Sequence, residues 1–320
     1  MSRTARYLVA GCAGFLGQHL VERLASTGND VVGVDDFSTG SRAVVSDLGA
    51  NKRFDFIEAD VTADLPISGH FDFVVHLASP AAPPDYQRLS VETLQANSLG
   101  TLHLLQLAER AAATFVFASS SEVYGTALDS PQGEESVGIV DPIGARSMYA
   151  EAKRFGEALS VAYRHERNVR VRIVRLFNVY GPGMRTDDGR VVTEFVKRAL
   201  AEIPLIIHGD GQQIRSFTYV DDAIAGVLAV GRGPDLGPVN VGDPGGAITI
   251  AELARMVLEL SGSTSAIEFE PARADDPRHR VPDIRRAESI GWSPHVPLRE
   301  GMKTTLEALR SPVGNVAAPR

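Results

Sequence analysis

Tyr7-Leu8-Val9-Ala10-Gly11-Cys12-Ala13-Gly14-Phe15-Leu16-Gly17 decides the fold of this 320-residue chain. Tyr7–Ala10 is an apolar run of strand length, and it passes directly into a loop of three glycines. Leu16, Leu20 and Leu24 then recur at i, i+4 and i+8, which predicts a helix over Leu16–Ser26. A strand that enters a glycine loop and leaves it as a helix is the opening of a βαβ unit. The glycines allow the tight turn, and they let backbone N–H groups approach a pyrophosphate at the positive end of the helix.

Outward from that stretch the same alternation continues to about residue 180. Further strands are predicted over Asp30–Val34, Phe54–Glu58, Phe71–His76, Thr114–Ala118 and Arg170–Leu176. Between them lie helical segments, the longest over Val91–Arg110. Alternating strands and helices predict an α/β fold, a Rossmann-type doubly wound parallel sheet. Past Gly181 the chain is richer in Gly, Pro and charge, with helices near Val191–Glu202, Asp221–Val230, Ile250–Leu260 and Leu298–Leu309. The expected organisation is a dinucleotide-binding domain over residues 1–180, a smaller substrate-binding domain over 181–312 with some chain interchange between them, and a tail over 313–320. No internal repeat appears.

The bulk numbers exclude several classes. With 44% hydrophobic and 22% charged residues the chain has globular composition. A net charge of -8, from 32 Lys+Arg against 40 Asp+Glu, repels polyphosphate backbones and argues against nucleic acid as a partner. The single cysteine, Cys12, excludes an internal disulfide framework and a cysteine-rich metal site, so no metal is expected and a reducing compartment fits. Arg3 and Arg6 precede an apolar run too short for a signal peptide, and no segment reaches the roughly 20 apolar residues of a membrane span. A cytoplasmic protein without membrane partners is the expectation.

Asp35 ends the second strand about twenty residues after the loop, the position from which a carboxylate accepts hydrogen bonds from adenosine ribose hydroxyls. Such a carboxylate repels a 2′-phosphate, and Arg42 is too far along to clamp one, so NAD is expected rather than NADP. Asp60 and Val61, closing the third strand, read either as neighbours of the adenine or as a solvated strand end.

Tyr149-Ala150-Glu151-Ala152-Lys153 opens a predicted helix, and the spacing of four puts Tyr149 and Lys153 on one face. A free tyrosine, with a pKa near ~10, is a poor base at neutral pH; an ammonium group and a nicotinamide cation beside it favour the phenolate. Phe115-Val116-Phe117-Ala118-Ser119-Ser120-Ser121-Glu122-Val123-Tyr124-Gly125 reads as a buried strand that ends in three hydroxyls and a carboxylate at the carboxyl edge of the sheet. Ligands of such folds bind there. Serines capping the next helix are the alternative reading.

The chain from Tyr7 to about Leu309 resembles the extended short-chain dehydrogenase/reductase family that modifies nucleotide sugars, and most closely its UDP-glucuronate decarboxylase branch. The resemblance rests on His76-Leu77-Ala78-Ser79-Pro80-Ala81-Ala82-Pro83-Pro84, the Ser-Ser-Ser-Glu-Val-Tyr-Gly run ending at Gly125, and Asp141-Pro142-Ile143-Gly144. It continues through Phe177-Asn178-Val179-Tyr180-Gly181-Pro182, Asp188-Gly189-Arg190-Val191-Val192 and the stretch from Asp275 to Ile284 that contains Arg280. It implies Tyr149 as base, Lys153 as its electrostatic partner and binder of the nicotinamide ribose, and Ser120 as relay to the sugar 4-hydroxyl. Glu122 is implied to act near C5 and Arg280 to hold the sugar end; Ser121, between Ser120 and Glu122, is a lesser candidate. The cofactor set it implies is Gly11, Gly14, Phe15, Leu16, Gly17, Asp35, Asp36, Phe37, Ser38, Thr39, Gly40, Asp60, Val61, Leu77, Ala78, Ser79 and Val179. For UDP it implies Asn178, Arg190, Val191, Val192, Arg215 and Arg280, the arginines matching a diphosphate by their fork geometry. For Arg190 and Arg215 a solvated surface position is the alternative.

Within that family the resemblance also separates sister reactions. Dehydratases carry Asp-Glu where this chain has Ser121-Glu122, and epimerases usually lack a carboxylate at position 122. Glu122 therefore points to decarboxylation of UDP-glucuronic acid, with UDP-xylose or a UDP-4-keto-pentose as product; 4-epimerisation, 4,6-dehydration and a non-catalytic NAD-binding regulator are the alternatives. Relatives tend to have Asp and Gly in place of Ala150 and Ala152, and a lysine near the substrate carboxylate in place of Gln95. Helices over Val91–Arg110 and Met148–Arg164 correspond to those that form a dimer bundle in the family, so a homodimer is expected.

Overall fold

The computed structural model describes residues 4–126, 129–144, 147–272 and 277–310. Asp275, Asp276 and the expected tail over 313–320 lie outside the described residues. Six strands arise where the alternation predicts them: β1 (Arg6–Ala10), β2 (Asp30–Asp35), β3 (Phe54–Glu58), β4 (Phe73–His76), β5 (Thr114–Ser120) and β6 (Arg170–Leu176). They are followed by β7 (Val179–Tyr180), β8 (Leu205–His208), β9 (Ile214–Ser216), β10 (Thr218–Tyr219), β11 (Pro238–Val241), β12 (Ala247–Thr249), β13 (Ile267–Glu270) and β14 (His279–Arg280). The helices are α1 (Phe15–Ser26), α2 (Arg42–Leu48), α3 (Pro83–Arg88), α4 (Ser90–Gln95), α5 (Thr101–Ala111), α6 (Ser147–Arg167), α7 (Val191–Leu200), α8 (Val220–Arg232), α9 (Ile250–Ser261), α10 (Arg285–Glu288) and α11 (Leu298–Arg310).

One seven-stranded sheet, in the order β11-β6-β5-β4-β1-β2-β3, carries the architecture. All its pairings are parallel. Strands covered on both faces read as near-continuous apolar runs, as Thr114–Ser120 and Arg6–Ala10 do. Helices on either face bury Leu20, Val21 and Leu24 of α1 on one side and Leu104, Leu105 and Ala108 of α5 on the other. The order reverses between β1 and β4, so the loops after those strands open the crevice where ligands of such sheets bind.

The seventh strand was not predicted. Pro238–Val241 pairs with β6, with Val239 opposite Val174 and Val241 opposite Leu176. The chain beyond residue 181 thus returns to complete the first sheet. The remaining strands form the two- and three-stranded sheets β10-β7, β12-β9-β14 and β13-β8 over the crevice. Asp222, on α8, fastens the C-terminal segment to them by accepting from the amides of His295 and Val296.

Two helical expectations change. The predicted rod over Val91–Arg110 begins at Ser90 and contains a π-helical turn over Ala96–Gly100 between α4 and α5. The extra residue in that turn lets Gly100 seat against Val61, where a Cβ would lie 2.7 Å from Val61 Cγ2, and turns Asn97 so that it donates to Ser79 Oγ at 2.8 Å. The fourth strand starts at Phe73, and Phe71 is buried just before it. Among the described residues, no helix is long and apolar enough to cross a membrane.

Candidate active site

The glycine loop separates into structural and open positions. Gly11 has φ 85°, and a Cβ on it would lie 2.6 Å from the Ala78 amide nitrogen. A Cβ on Gly17 would lie 2.0 Å from the Gly11 carbonyl oxygen. Gly14 is less confined: its nearest neighbour, the same carbonyl, would be 3.4 Å away. It caps the N-terminus of α1, and no side chain hydrogen-bonds there. A dinucleotide phosphate finds at that end the amides of an uncapped first turn.

Asp35 is joined to this loop. Its Oδ2 accepts from the Ala13 amide and its Oδ1 from the Phe37 amide, each at 2.9 Å. Burial raises its carboxyl above the usual carboxylate range, and the two amides oppose that. Each oxygen keeps a further lone pair, so the carboxylate can still accept from ribose hydroxyls. Gly40 packs against it, since a Cβ there would come 2.8 Å from Asp35 Oδ1. Asp36 accepts from Ser38 N at 2.9 Å, Phe37 turns through φ 61°, and the Thr39 carbonyl accepts from Arg185 at 2.8 Å. Arg42 is committed elsewhere, to Glu58 through both terminal nitrogens, so no arginine waits for a 2′-phosphate on this loop. Asp60 is exposed and accepts from the amide and hydroxyl of Thr62. Val61 is buried against the π turn. The cradle that a Cβ would fill, the uncapped helix and the buried carboxylate fit a dinucleotide with a free 2′-hydroxyl.

A cavity of about 820 Å³ opens beyond the carboxyl ends of β4, β5 and β6. Leu16, Leu77, Ser79 and Val179 of the expected cofactor set line it, together with Ser120, Ser121, Glu122, Tyr149 and Lys153. So do Asn178, Arg190, Val191, Val192, Arg215 and Arg280. The remaining expected cofactor residues, Gly11, Gly14, Phe15, Gly17, Asp35, Asp36, Phe37, Ser38, Thr39, Gly40, Asp60, Val61 and Ala78, do not line this cavity.

Tyr149 is buried at the start of α6 and hydrogen-bonds Ser120. Its ring stacks on Tyr86 at 5.1 Å, with 13° between the planes. Burial pushes the phenol well above its ordinary value, and the bond to Ser120 opposes this. Lys153, one turn on, donates to the Ala118 carbonyl at 2.9 Å and stands 5.7 Å from the Tyr149 ring centroid. Burial lowers its ammonium to about 7, against the opposing charge of Glu157. Ser120 Oγ accepts from the Glu122 amide at 3.2 Å, so Ser120 caps the short 3₁₀ turn Ser121–Tyr124 as well as facing Tyr149. Ser120 thus caps the turn while lining the cavity.

Glu122 and Arg280 meet. Arg280 donates from Nη1 to Oε1 and from Nη2 to Oε2, the second at 3.1 Å. Arg280 reaches the site because β14 pairs with β9, which puts Arg280 opposite Arg215. Arg215 is buried and Arg190 is half-buried, so neither is a solvated surface residue. Arg190 is held by Asp188, whose Oδ2 accepts from its Nε at 2.7 Å, and its guanidinium lies 5.4 Å from the Phe15 ring. Asn178 donates to the Ser216 carbonyl at 3.3 Å. Gln95 is exposed at the end of α4 and does not line the cavity. Ala150 and Ala152 are buried, where small side chains pack on α6.

Sequence reasoning missed Tyr86, Asp188, Arg185 and Glu157. Tyr86 lies two residues past the Pro83-Pro84 pair, and Asp188 lies in the motif whose Arg190, Val191 and Val192 are implied to bind UDP. Glu157 continues the spacing of Tyr149 and Lys153 by one more turn, a signal open to the eye. Arg185, which links Thr39 to Asp85 on α3, has no local signature.

The chain matches the NAD dependent epimerase/dehydratase family over residues 7–242. It is 44% identical over 311 residues to UDP-glucuronic acid decarboxylase 1 of Arabidopsis thaliana, covering 97% of this chain and 71% of that protein. Among solved structures, UDP-glucose 4-epimerase of Thermotoga maritima with UDP-glucose superposes with a TM-score of 0.86 at 28% identity, covering 95% of this chain and 98% of that one. UDP-glucuronic acid 4-epimerase of Bacillus cereus, in complex with UDP-glucuronic acid and NAD, gives 0.82 at 27% identity, with 95% and 99% covered.

Proposed function

The chain belongs to the NAD dependent epimerase/dehydratase family, and from that membership we propose that it is a UDP-glucuronate decarboxylase that uses NAD. One observation carries the choice of reaction: the Glu122–Arg280 pair stands on the wall of the cavity that also holds Ser120 and Tyr149. The full-length likeness to a decarboxylase supports the same choice.

NAD, when bound, accepts the hydride of the sugar C4 and can return it. Tyr149 takes the proton of the 4-hydroxyl, with Ser120 as the hydrogen-bonding neighbour of both. A phenol pushed up by burial becomes a base only beside positive charge, and Lys153 supplies it from the next turn of the helix. Once C4 is a ketone it lies β to the C6 carboxylate. Carbon dioxide then leaves, and the electron pair of the C5–C6 bond is delocalised into an enolate. Glu122, an acceptor fixed by Arg280, holds a water against C5; the proton of that water completes the new C5–H bond, and the hydroxide left behind takes up a proton from solvent. Return of the hydride to C4 and of the proton from Tyr149 gives UDP-xylose; release before that step gives a UDP-4-keto-pentose. Arg190, Arg215 and the first amides of α7 at Val191 and Val192 hold the diphosphate, and Asn178 and Arg280 hold the ends of the substrate.

The nucleotide-sugar domain is the segment 181–312, less α8 and β11, which lie with the cofactor domain. The protein works as a homodimer through α4 and α6, which pack together and leave Val91, Leu94 and Phe155 exposed at 60%, 42% and 51%. Its one cysteine, buried Cys12, suits a cytoplasmic enzyme.

The test is incubation with NAD and UDP-glucuronate while carbon dioxide, NADH absorbance and the mass of the sugar product are followed, with Tyr149→Phe as the control that binds NAD without turnover. Carbon dioxide with transient NADH identifies full turnover to UDP-xylose, and carbon dioxide with lasting NADH identifies a ketopentose product. Absence of carbon dioxide overturns the reading.

A further inference from the structure

Tyr149, Lys153 and Glu157 stand at i, i+4 and i+8 of α6, on one face of the helix. The first two are accounted for above; the third is not. Glu157 Oε1 accepts from Ser119 Oγ at 2.5 Å and from Arg175 Nε at 2.9 Å, while Oε2 accepts from Arg175 Nη2 at 2.7 Å. Its side chain is 12% exposed and that of Arg175 13%. Ser119 precedes Ser120 on β5, and its neighbour Ala118 supplies the carbonyl that receives Lys153. Arg175 goes on to Tyr124 Oη at 3.0 Å, at the far end of the turn that carries Glu122. One carboxylate therefore ties the helix of Tyr149 and Lys153 to the strand of Ser120 and, through Arg175, to the turn of Glu122.

The charges that face Lys153 are few. Tyr149 and Glu157 approach from α6, and the Ala118 carbonyl from β5. His76, at the end of β4, is pushed down to about 3 by burial and by Lys153 itself, so it is neutral at working pH. Glu122 acts on Tyr149 from the 3₁₀ turn, and Arg175 is paired with Glu157. Glu157 is the carboxylate that opposes the cost of burying this ammonium group.

We infer that Glu157 is a positioning residue of the reaction, which acts through Lys153: it fastens α6 to the strand whose Ala118 carbonyl receives the ammonium group, and it supplies negative charge to a fully buried lysine beside Tyr149. The inference rests on the C4 oxidation proposed above and not on the loss of carbon dioxide.

The chain contains four lysines, Lys52, Lys153, Lys197 and Lys303, and all but Lys153 are exposed. Lysine-selective NMR of the cofactor-free protein thus reads four signals, of which Lys153 is the one that titrates far below the others. In Glu157→Gln its midpoint falls by about one unit or more, and in Glu157→Asp, which keeps the charge, it stays near the wild-type value. The alkaline limb of C4 oxidation, followed as NADH absorbance on UDP-glucuronate, moves to lower pH by the same amount in Glu157→Gln only. Should the uncompensated Arg175 prevent that variant from folding, Glu157→Gln with Arg175→Gln is compared with Arg175→Gln alone, and the fall of the Lys153 midpoint between those two reads the carboxylate without a stranded cation. An unmoved Lys153 midpoint, or a loss of activity equal at every pH, overturns the inference. The NMR arm uses no substrate, so it stands apart from failure of the decarboxylase reading.

Discussion

Arg280 donates from both terminal nitrogens of its guanidinium to the two carboxylate oxygens of Glu122, across 158 residues of sequence. The pair brings a strand of the smaller sheets onto the end of the main sheet, so cavity and chemistry close together. Glu122→Gln keeps the shape and halves the charge match. Appearance of the C5-protonated sugar product is expected to fall by about 100-fold or more, while single-turnover NADH formation, which needs Tyr149 and Ser120, falls much less. Rapid-mixing absorbance with mass analysis of the quenched sugar separates the two, and equal losses in both would remove Glu122 from the steps after oxidation.

The two glycine environments predict different failures. Gly17→Ala drives a methyl into the Gly11 carbonyl at 2.0 Å and Cys12 Cα at 2.7 Å, where only backbone movement relieves the clash. A loss of about 3 kcal/mol or more of stability is expected. Gly14→Ala meets one atom at 3.4 Å and should melt close to wild type while binding NAD at least about tenfold more weakly, because the methyl stands where the pyrophosphate approaches. Thermal melts with NAD titrations check both, and Gly14→Ala with unchanged NAD affinity would show that the phosphates lie elsewhere.

Lys153 carries a stability cost with a definite pH window. Its ammonium sits near 7 in the folded protein against an ordinary value of 10.5, so between those values the unfolded chain binds the extra proton and stability rises with pH. Below pH 7 both states are protonated and the cost is complete. Lys153→Met, inactive, should therefore be more stable than wild type by about 1–4 kcal/mol near pH 6.5, with the gain shrinking toward pH 10. Urea unfolding at the two pH values measures it, and a pH-independent difference would mean the lysine is not penalised by burial.

Phe155→Glu combined with Leu94→Glu should convert a dimer to monomers, because two charges per protomer would enter an apolar face. Light scattering after size exclusion reads the mass directly. A dimer that survives both changes assembles through another surface.

The fold was legible because strands buried on both faces announce themselves as unbroken apolar runs, as at Thr114–Ser120. Pro238–Val241 escaped because four residues flanked by loops carry no period. The π turn escaped as well, because an amphipathic pattern over Val91–Arg110 continues smoothly through one extra residue. The spacing of four placed Tyr149 and Lys153 on one face, and the end of a buried strand placed the serines and Glu122 at the carboxyl edge of the sheet; the parts proposed for Ser120 and Glu122 came from the resemblance. What spacing cannot hold is the Glu122–Arg280 contact, which depends on two small strands, β9 and β14, pairing in one register. Arg42, too far along the chain to clamp a 2′-phosphate, is paired with Glu58 of a neighbouring strand, a contact its local sequence does not announce.

The return of β11 to the edge of β6 also bears on how the molecule can be taken apart. A fragment ending near residue 180 would leave Ile173–Leu176 with an unmated row of amides and carbonyls beside buried valines, an invitation to pair with other chains. Loss of that strand would also remove Asn240, which accepts from the Tyr124 hydroxyl at 2.7 Å. The main sheet and the chain beyond residue 181 are thus threaded through each other. They should melt in a single transition, and neither is expected to stay soluble when expressed as a fragment of its own.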